Sequence, residues 1–311
     1  MDLPNLNKPA LSSRKRKAKE SNDSSKIIPS KRTGFFSTFH QQSFAFPNSI
    51  MYYITMKSAK IHRKMIKICK QFFAQKPFLI ISRLCYDREN GWHIWLNGKR
   101  INLEHQICSR FWFTNELNLC RYSFNEDNVL SSLMPKVFRS DIQELQIQSQ
   151  NISYKDLIFL ASNCINVRFD TVTVMDGNGS VVPMEKIVEA LPKLERFKFE
   201  LHENSAAETI TAKTVEELIK IPHFSNLDEF YLDEIPDTFE IETFFEYIKK
   251  NKKTKFWFEF SDKIFVDYQL RLDRIVQEIV FSENHGYKPP WILYKGVSHR
   301  KELHELFFLY R

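Results

Sequence analysis

Leu194-Glu195-Arg196-Phe197-Lys198-Phe199 and Leu227-Asp228-Glu229-Phe230-Tyr231-Leu232 carry one pattern, an apolar residue followed at +3 and +5 by two more. The same spacing occurs at Ile142, Leu145, Ile147 and at Cys164, Val167, Phe169, and a fifth, degenerate copy keeps Phe256 and Phe258. Alternation at +3 and +5 is the signature of a short strand with one buried face. Successive copies start 22, 30 and 33 residues apart. Helical stretches lie between them: Ser153-Tyr154-Lys155-Asp156 and Thr214-Val215-Glu216-Glu217 resemble capping boxes, and Pro183 suits a first helical turn. A strand followed by a helix at a period of about 20 to 34 residues is the logic of a leucine-rich-repeat solenoid. The period is irregular, so a non-repetitive α/β domain with similar strands stays open beside it. The expected fold class is α/β: a short N-terminal helical segment, then an irregular leucine-rich-repeat-like strand–helix array over 126–311.

Upstream of that array, Phe78-Leu79-Ile80-Ile81, Trp92-His93-Ile94-Trp95-Leu96 and Phe111-Trp112-Phe113 look like short strands, and Asn97-Gly98 suits a hairpin turn. Residues 78–125 are therefore assigned to a connecting hairpin or small sheet. Between 46 and 77, Ile61, Met65, Ile68 and Phe72 fall on one helical stripe, with Ile66, Cys69 and Phe73 beside it. Such a helix has to be buried on more than one side, within its own domain or against a partner. Pro77 is expected to stop it.

The chain has 311 residues and a formal net charge of +7. Residues 1–33 hold nine basic groups against three acidic ones, a net of +6, so the remaining 278 residues are nearly neutral. Residues 1–45 are expected to be disordered, being rich in Ser, Lys and Asn and poor in apolar groups. Arg14, Lys15, Arg16 and Lys17, with Lys31 and Arg32 further on, form a nuclear-import candidate that an import receptor could grip. The same run also suits a phosphate-binding arm for nucleic acid, or a merely solubilising tail. The folded part is not expected to bind nucleic acid. Around Lys249-Lys250 and Lys252-Lys253, alternation puts Phe256 and Phe258 on one face and Trp257 on the other, which makes the phenylalanines core residues rather than a stacking platform.

Composition also limits the chemistry. Seven glycines form neither a dinucleotide-binding fingerprint nor a phosphate loop, and no G-x-S-x-G elbow occurs. Cys69, Cys85, Cys108, Cys120 and Cys164 contain no C-x-x-C pair, so they fit small core residues of a reduced compartment better than a disulfide framework or a zinc ribbon. His304-Glu305-Leu306-Phe307-Phe308 has Phe308 where a zinc protease motif needs its second histidine. Asp176-Gly177-Asn178-Gly179-Ser180 opens like a calcium loop but lacks the later glycine and glutamate, and describes a turn. Asp233, Glu234, Asp237, Glu240 and Glu242 look like a solvated rim. No signal region or membrane span is evident. The expectation is a non-catalytic protein with no cofactor, no metal and no membrane association, nuclear and/or cytoplasmic.

Phe46-Pro47, Ile50-Met51-Tyr52-Tyr53-Ile54 and Ile68-Cys69-Lys70-Gln71-Phe72 together resemble a divergent F-box, a motif that opens Leu-Pro and closes Val-Cys-Lys-x-Trp at a similar separation. Phe46 stands for the leucine and Phe72 for the tryptophan. With the irregular strand–helix region that follows, the chain is similar to a nematode-expanded group of F-box-like proteins. The resemblance implies a ubiquitin-ligase adaptor. A Skp-type linker of a cullin-RING ligase would bind through Pro47, Ile50, Ile54, Ile68, Cys69 and Phe72, and the repeat-like region would recruit a protein substrate. A repeat-based nuclear scaffold without a ligase link, or nucleic-acid binding through the tail, are the alternatives.

Overall fold

The computed structural model describes residues 47–69, 72, 78–96, 99–103, 110–119 and 129–309. Helices α1 (Asn48–Lys57) and α2 (Ala59–Ile68) precede β1 (Phe78–Asp87), β2 (Gly91–Leu96), β3 (Lys99–Asn102) and the long β4 (Arg110–Leu119). After α3 (Val129–Leu133) and β5 (Val137–Ser140), strands and helices alternate. They run β6 (Glu144–Gln148), β7 (Asn151–Ser153), α4 (Tyr154–Ala161), β8 (Asn166–Asp170), β9 (Thr173–Met175) and α5 (Met184–Glu189). Next come β10 (Arg196–Glu200), α6 (Ala206–Thr209), α7 (Thr214–Leu218), β11 (Glu229–Ile235) and α8 (Ile241–Lys250). The chain closes with β12 (Lys255–Phe260), α9 (Val266–Phe281), β13 (Trp291–Leu293) and α10 (Arg300–Leu309).

Among the described residues, eleven strands make one mixed sheet in the order β13-β12-β11-β10-β8-β6-β4-β1-β2-β3, with β5 beside β4. Only the β1–β2 and β2–β3 pairs are antiparallel. The protein is thus mixed α/β, built on one large mixed sheet. Strands β1 to β4, which fall within residues 78–125 assigned from sequence to a connector, belong to this same sheet, because β4 pairs with β1 on one side and with β6 on the other.

The recurring apolar sets occupy equivalent places on neighbouring strands. Leu145, Val167, Phe197, Phe230 and Phe256 are in register across five strands, and so are Ile147, Phe169, Phe199, Leu232 and Phe258. All ten are buried. The phenylalanine rings meet strand to strand: Phe197 lies 5.8 Å from Phe230, and Phe230 lies 6.3 Å from Phe256. Burying each ring contributes about 1.5–3 kcal/mol.

The strand entries are tied by the backbone as well. The Gln143 carbonyl accepts from the amides of Ile165 and Asn166, that of Ile165 from Glu195 and Arg196, and that of Glu195 from Asp228 and Glu229. The helices lay amphipathic faces on this inner side. On α8 the buried residues are Ile241, Phe244, Phe245 and Ile248, and on the 16-residue α9 they are Tyr268, Leu272, Ile275, Val276 and Ile279.

Local signals are honoured unevenly. Ser153 caps α4 by accepting from the Asp156 amide at 3.0 Å. Thr214 does not cap α7, whose N-cap is Lys213; its hydroxyl donates to the buried Glu185 carboxylate at 2.8 Å and accepts from the Thr211 amide at 2.9 Å. Asp176 and Asn178 accept from backbone amides within their own loop, as a turn requires. Cys69 and Cys164 are buried and Cys85 is half-buried; burial pushes the Cys164 thiol up to about 12. Cys108 and Cys120 lie outside the described residues. No helix among the described residues is long and apolar enough to cross a membrane.

Candidate functional site

Among the described residues, helices cover the sheet's second face toward both ends and leave it half-exposed between. Trp112 points away from the main core, and there it meets the α2 side chain His62 at 6.1 Å and the Arg139 guanidinium at 4.6 Å. Phe78 stacks on His62 at 4.5 Å and on Phe138 at 4.8 Å. Arg139 donates to the Met56 carbonyl at the end of α1, and Arg63 to the Ile80 carbonyl of β1. These contacts seat the helix pair on the sheet. At the other end α10 brings Phe307 to within 5.3 Å of Trp257, with Lys255 over the Phe307 ring.

The helix pair differs from the single stripe expected of residues 61–73. Helix α2 ends at Ile68, and Cys69 is extended (φ −144°, ψ 124°), which carries Phe72 off the helical register. Met51, Cys69 and Phe72 are buried together in a small cluster, with Met65 and Ile66 against it. Ile61 and Ile68 face out, and the inward position of α2 is His62. Of the residues assigned to a partner interface, Pro47, Ile50, Ile54 and Ile68 are exposed, the last at 79%, whereas Cys69 and Phe72 hold the pair together. Tyr53, 66% exposed, adds to the apolar surface.

Between the covered ends, parallel register lines up polar side chains. Asn118, Gln146, Arg168, Lys198 and Tyr231 form one row, continued by Trp257 and Trp291. Gln148, Asp170, Glu200 and Asp233 form a second. Adjacent strands are about 4.8 Å apart, so equivalent carboxylates are held within reach of one another. Burial, then the charges of Asp170 and Asp233, push Glu200 up to about 7; burial also raises Asp170. Glu259 accepts from the Trp257 indole at 2.6 Å, and the Tyr231 hydroxyl donates to Asp233 at 3.2 Å. The surface can hold and exchange a proton near neutral pH and offers carboxylates, amides and aromatic edges.

Sequence reasoning placed only Asp233 here, as part of a rim. The missed signal is the residue directly after each second strand-facing apolar position: Gln148, Asp170, Glu200, Asp233 and Glu259 all stand there.

A cleft of about 720 Å³ lies at the exits of β6, β8 and β10, lined in part by Ser149, Gln150, Thr171, Thr173, His202 and Ser205. Ser149 (φ 50°) and Thr171 (φ 52°) both take the left-handed backbone there, and their hydroxyls meet at 2.9 Å. Among the described residues no group of three His, Cys, Asp or Glu side chains is placed to hold a metal ion. The import candidates Arg14, Lys15, Arg16, Lys17, Lys31 and Arg32 lie outside the described residues. No family model, curated protein or solved structure matches the chain.

Proposed function

We propose that the chain is a non-catalytic, F-box-like adaptor. Helices α1 and α2 dock on a Skp-type linker of a cullin-RING ubiquitin ligase, and the strand–helix array, leucine-rich-repeat-like, presents its open sheet face to a protein substrate. The observation that carries the reading is the split character of the helix pair. Its inward residues Met51, Cys69 and Phe72 already pack on one another, while Ile50, Tyr53, Ile54 and Ile68 stay exposed. Apolar side chains at i and i+4 on an exposed helix are the anchors of helix-in-groove recognition. In-register recurrence of the apolar sets supports the repeat-like part, since translational stacking of strand–helix units leaves one sheet face free for a partner.

Co-purification of the full chain with a recombinant Skp-type linker tests the proposal. Recovery of the linker by the native chain and its loss in Ile50→Asp/Ile68→Asp, with unchanged thermal stability, is the expected result. If the native chain recovers no linker, the adaptor reading fails; stable protein partners without a linker would favour a repeat-based scaffold.

A further inference from the structure

Buried polar groups are nearly always hydrogen-bonded, because an unpaired one forfeits its water without replacement. His62 is 1% exposed, and neither Nδ1 nor Nε2 has a partner. Its ring is closed in by aromatic faces, Phe78 stacked at 4.5 Å and Trp112 at 6.1 Å. A neutral imidazole has one donor to satisfy and tolerates such a site at a modest cost. An imidazolium has two donors and a net charge, and in this slot neither nitrogen meets an acceptor or reaches the protein surface.

The polar and charged groups on the neighbouring elements are engaged with partners other than the ring or stand on adjoining positions. On its own helix, Arg63 reaches the Ile80 carbonyl. From β5, Arg139 covers the Trp112 ring at 4.6 Å. From β4, Arg110 stands in register with Phe78. Asp141, bonded to two of these residues, already accepts from the Arg139 Nε and from the Trp112 indole at 2.7 Å. Helix α1 contributes Thr55, whose hydroxyl donates to the Tyr52 carbonyl, and the Met56 carbonyl taken by Arg139. Burial accordingly holds the His62 pKa below the usual histidine value.

We propose that His62 is a pH-operated latch: neutral, it seals α1 and α2 against the sheet, and protonated, it releases them. The latch stands whether or not the helix pair binds a linker, and its readout needs no linker.

Hydrogen exchange of the full chain, corrected for the intrinsic pH dependence, tests it on amides of residues 48–68, with α8 as the internal reference. Protection of the helix pair is expected to fall relative to α8 as the pH drops from 7 to 5, approaching about tenfold per pH unit between the pKa of a free histidine, about 6.5, and the lower pKa of the docked ring. His62→Phe, which keeps a ring in the slot, is expected to abolish this dependence. Unchanged protection in the native chain, or the same fall in His62→Phe, overturns the latch. Should His62→Phe fail to fold, an NMR titration of the native His62 ring decides: a pKa below about 6.5, coupled to the loss of protection, supports it. An ordinary titration without that loss refutes it.

Discussion

Glu200 and Asp170 stand opposite each other on the parallel strands β10 and β8, so that after burial the charge of Asp170 is the next largest influence raising the Glu200 pKa. Two acids in register on neighbouring strands cannot both ionise without repulsion, so one keeps its proton. Glu200, at about 7, keeps it well above the ordinary glutamate value of 4.5. The folded chain therefore binds a proton that the unfolded chain releases above pH 4.5. Stability associated with this site is fully present below that pH and is lost as pH rises through 7. Glu200→Gln removes the loss. Relative to the native chain, the variant is expected to be more stable by about 1 kcal/mol at pH 8, a figure reduced for the site's partial solvent access, and indistinguishable at pH 4. Urea denaturation of both proteins at the two pH values measures it; an equal difference at both would remove the carboxyl pair as its cause.

The sheet's buried side was legible because the apolar sets are dictated by period alone: Phe197 and Phe199 are inward in any strand that contains both. Core truncation there is costly. Phe230 touches Phe224 at 5.0 Å and Phe197 at 5.8 Å, so Phe230→Ala should cost about 3–5 kcal/mol, while exposed Arg196→Ala on the neighbouring strand should stay within about 0.5 kcal/mol. A thermal or denaturant midpoint for each variant checks the contrast.

What the sequence left hidden depends on contacts between distant segments. The acidic row is visible only once strands are stacked in register, since Asp170 and Glu200 are thirty positions apart. The His62 slot depends on Phe78 and Trp112 converging from two strands, so the helical period of residues 61–73 marked Ile61 and Ile68 as contact positions, for the chain's own domain or a partner, without revealing that His62 is the residue of α2 turned onto the sheet. Of the candidate contact residues, Pro47, Ile50, Ile54 and Ile68 are exposed, and nothing in the spacing says that Cys69 ends the helix in an extended conformation and turns inward.

Thr214 and Ser153 separate a tertiary role from a local one. Ser153→Ala loses a cap and should cost about 1 kcal/mol. Thr214→Val leaves the Glu185 carboxylate, 8% exposed, without its hydroxyl donor and should cost about 1–3 kcal/mol, with Thr214→Ser restoring most of it. Equal losses in Thr214→Val and Thr214→Ser would mean that the methyl group, not the hydroxyl, matters there.

Arg139 joins three partners that no lysine can serve at once. Its Nε donates to Asp141 at 2.9 Å, its Nη1 to the Met56 carbonyl at 2.8 Å, and its planar face lies over Trp112 at 4.6 Å. A lysine keeps the charge but has one ammonium on a flexible stem, so it can satisfy the carboxylate or the carbonyl while giving up the flat contact with the ring. Arg139→Lys is expected to weaken the docking of α1 while leaving the phenylalanine-lined core intact. Amide protection of residues 48–57 should then fall several-fold, with α8 and α9 unchanged, and the expected cost is about 1–2 kcal/mol on the local opening of the helix pair. If protection of α1 is the same in Arg139→Lys and the native chain, charge alone seats the helix. If it falls across α8 and α9 as well, Arg139 supports the whole sheet rather than the joint with α1.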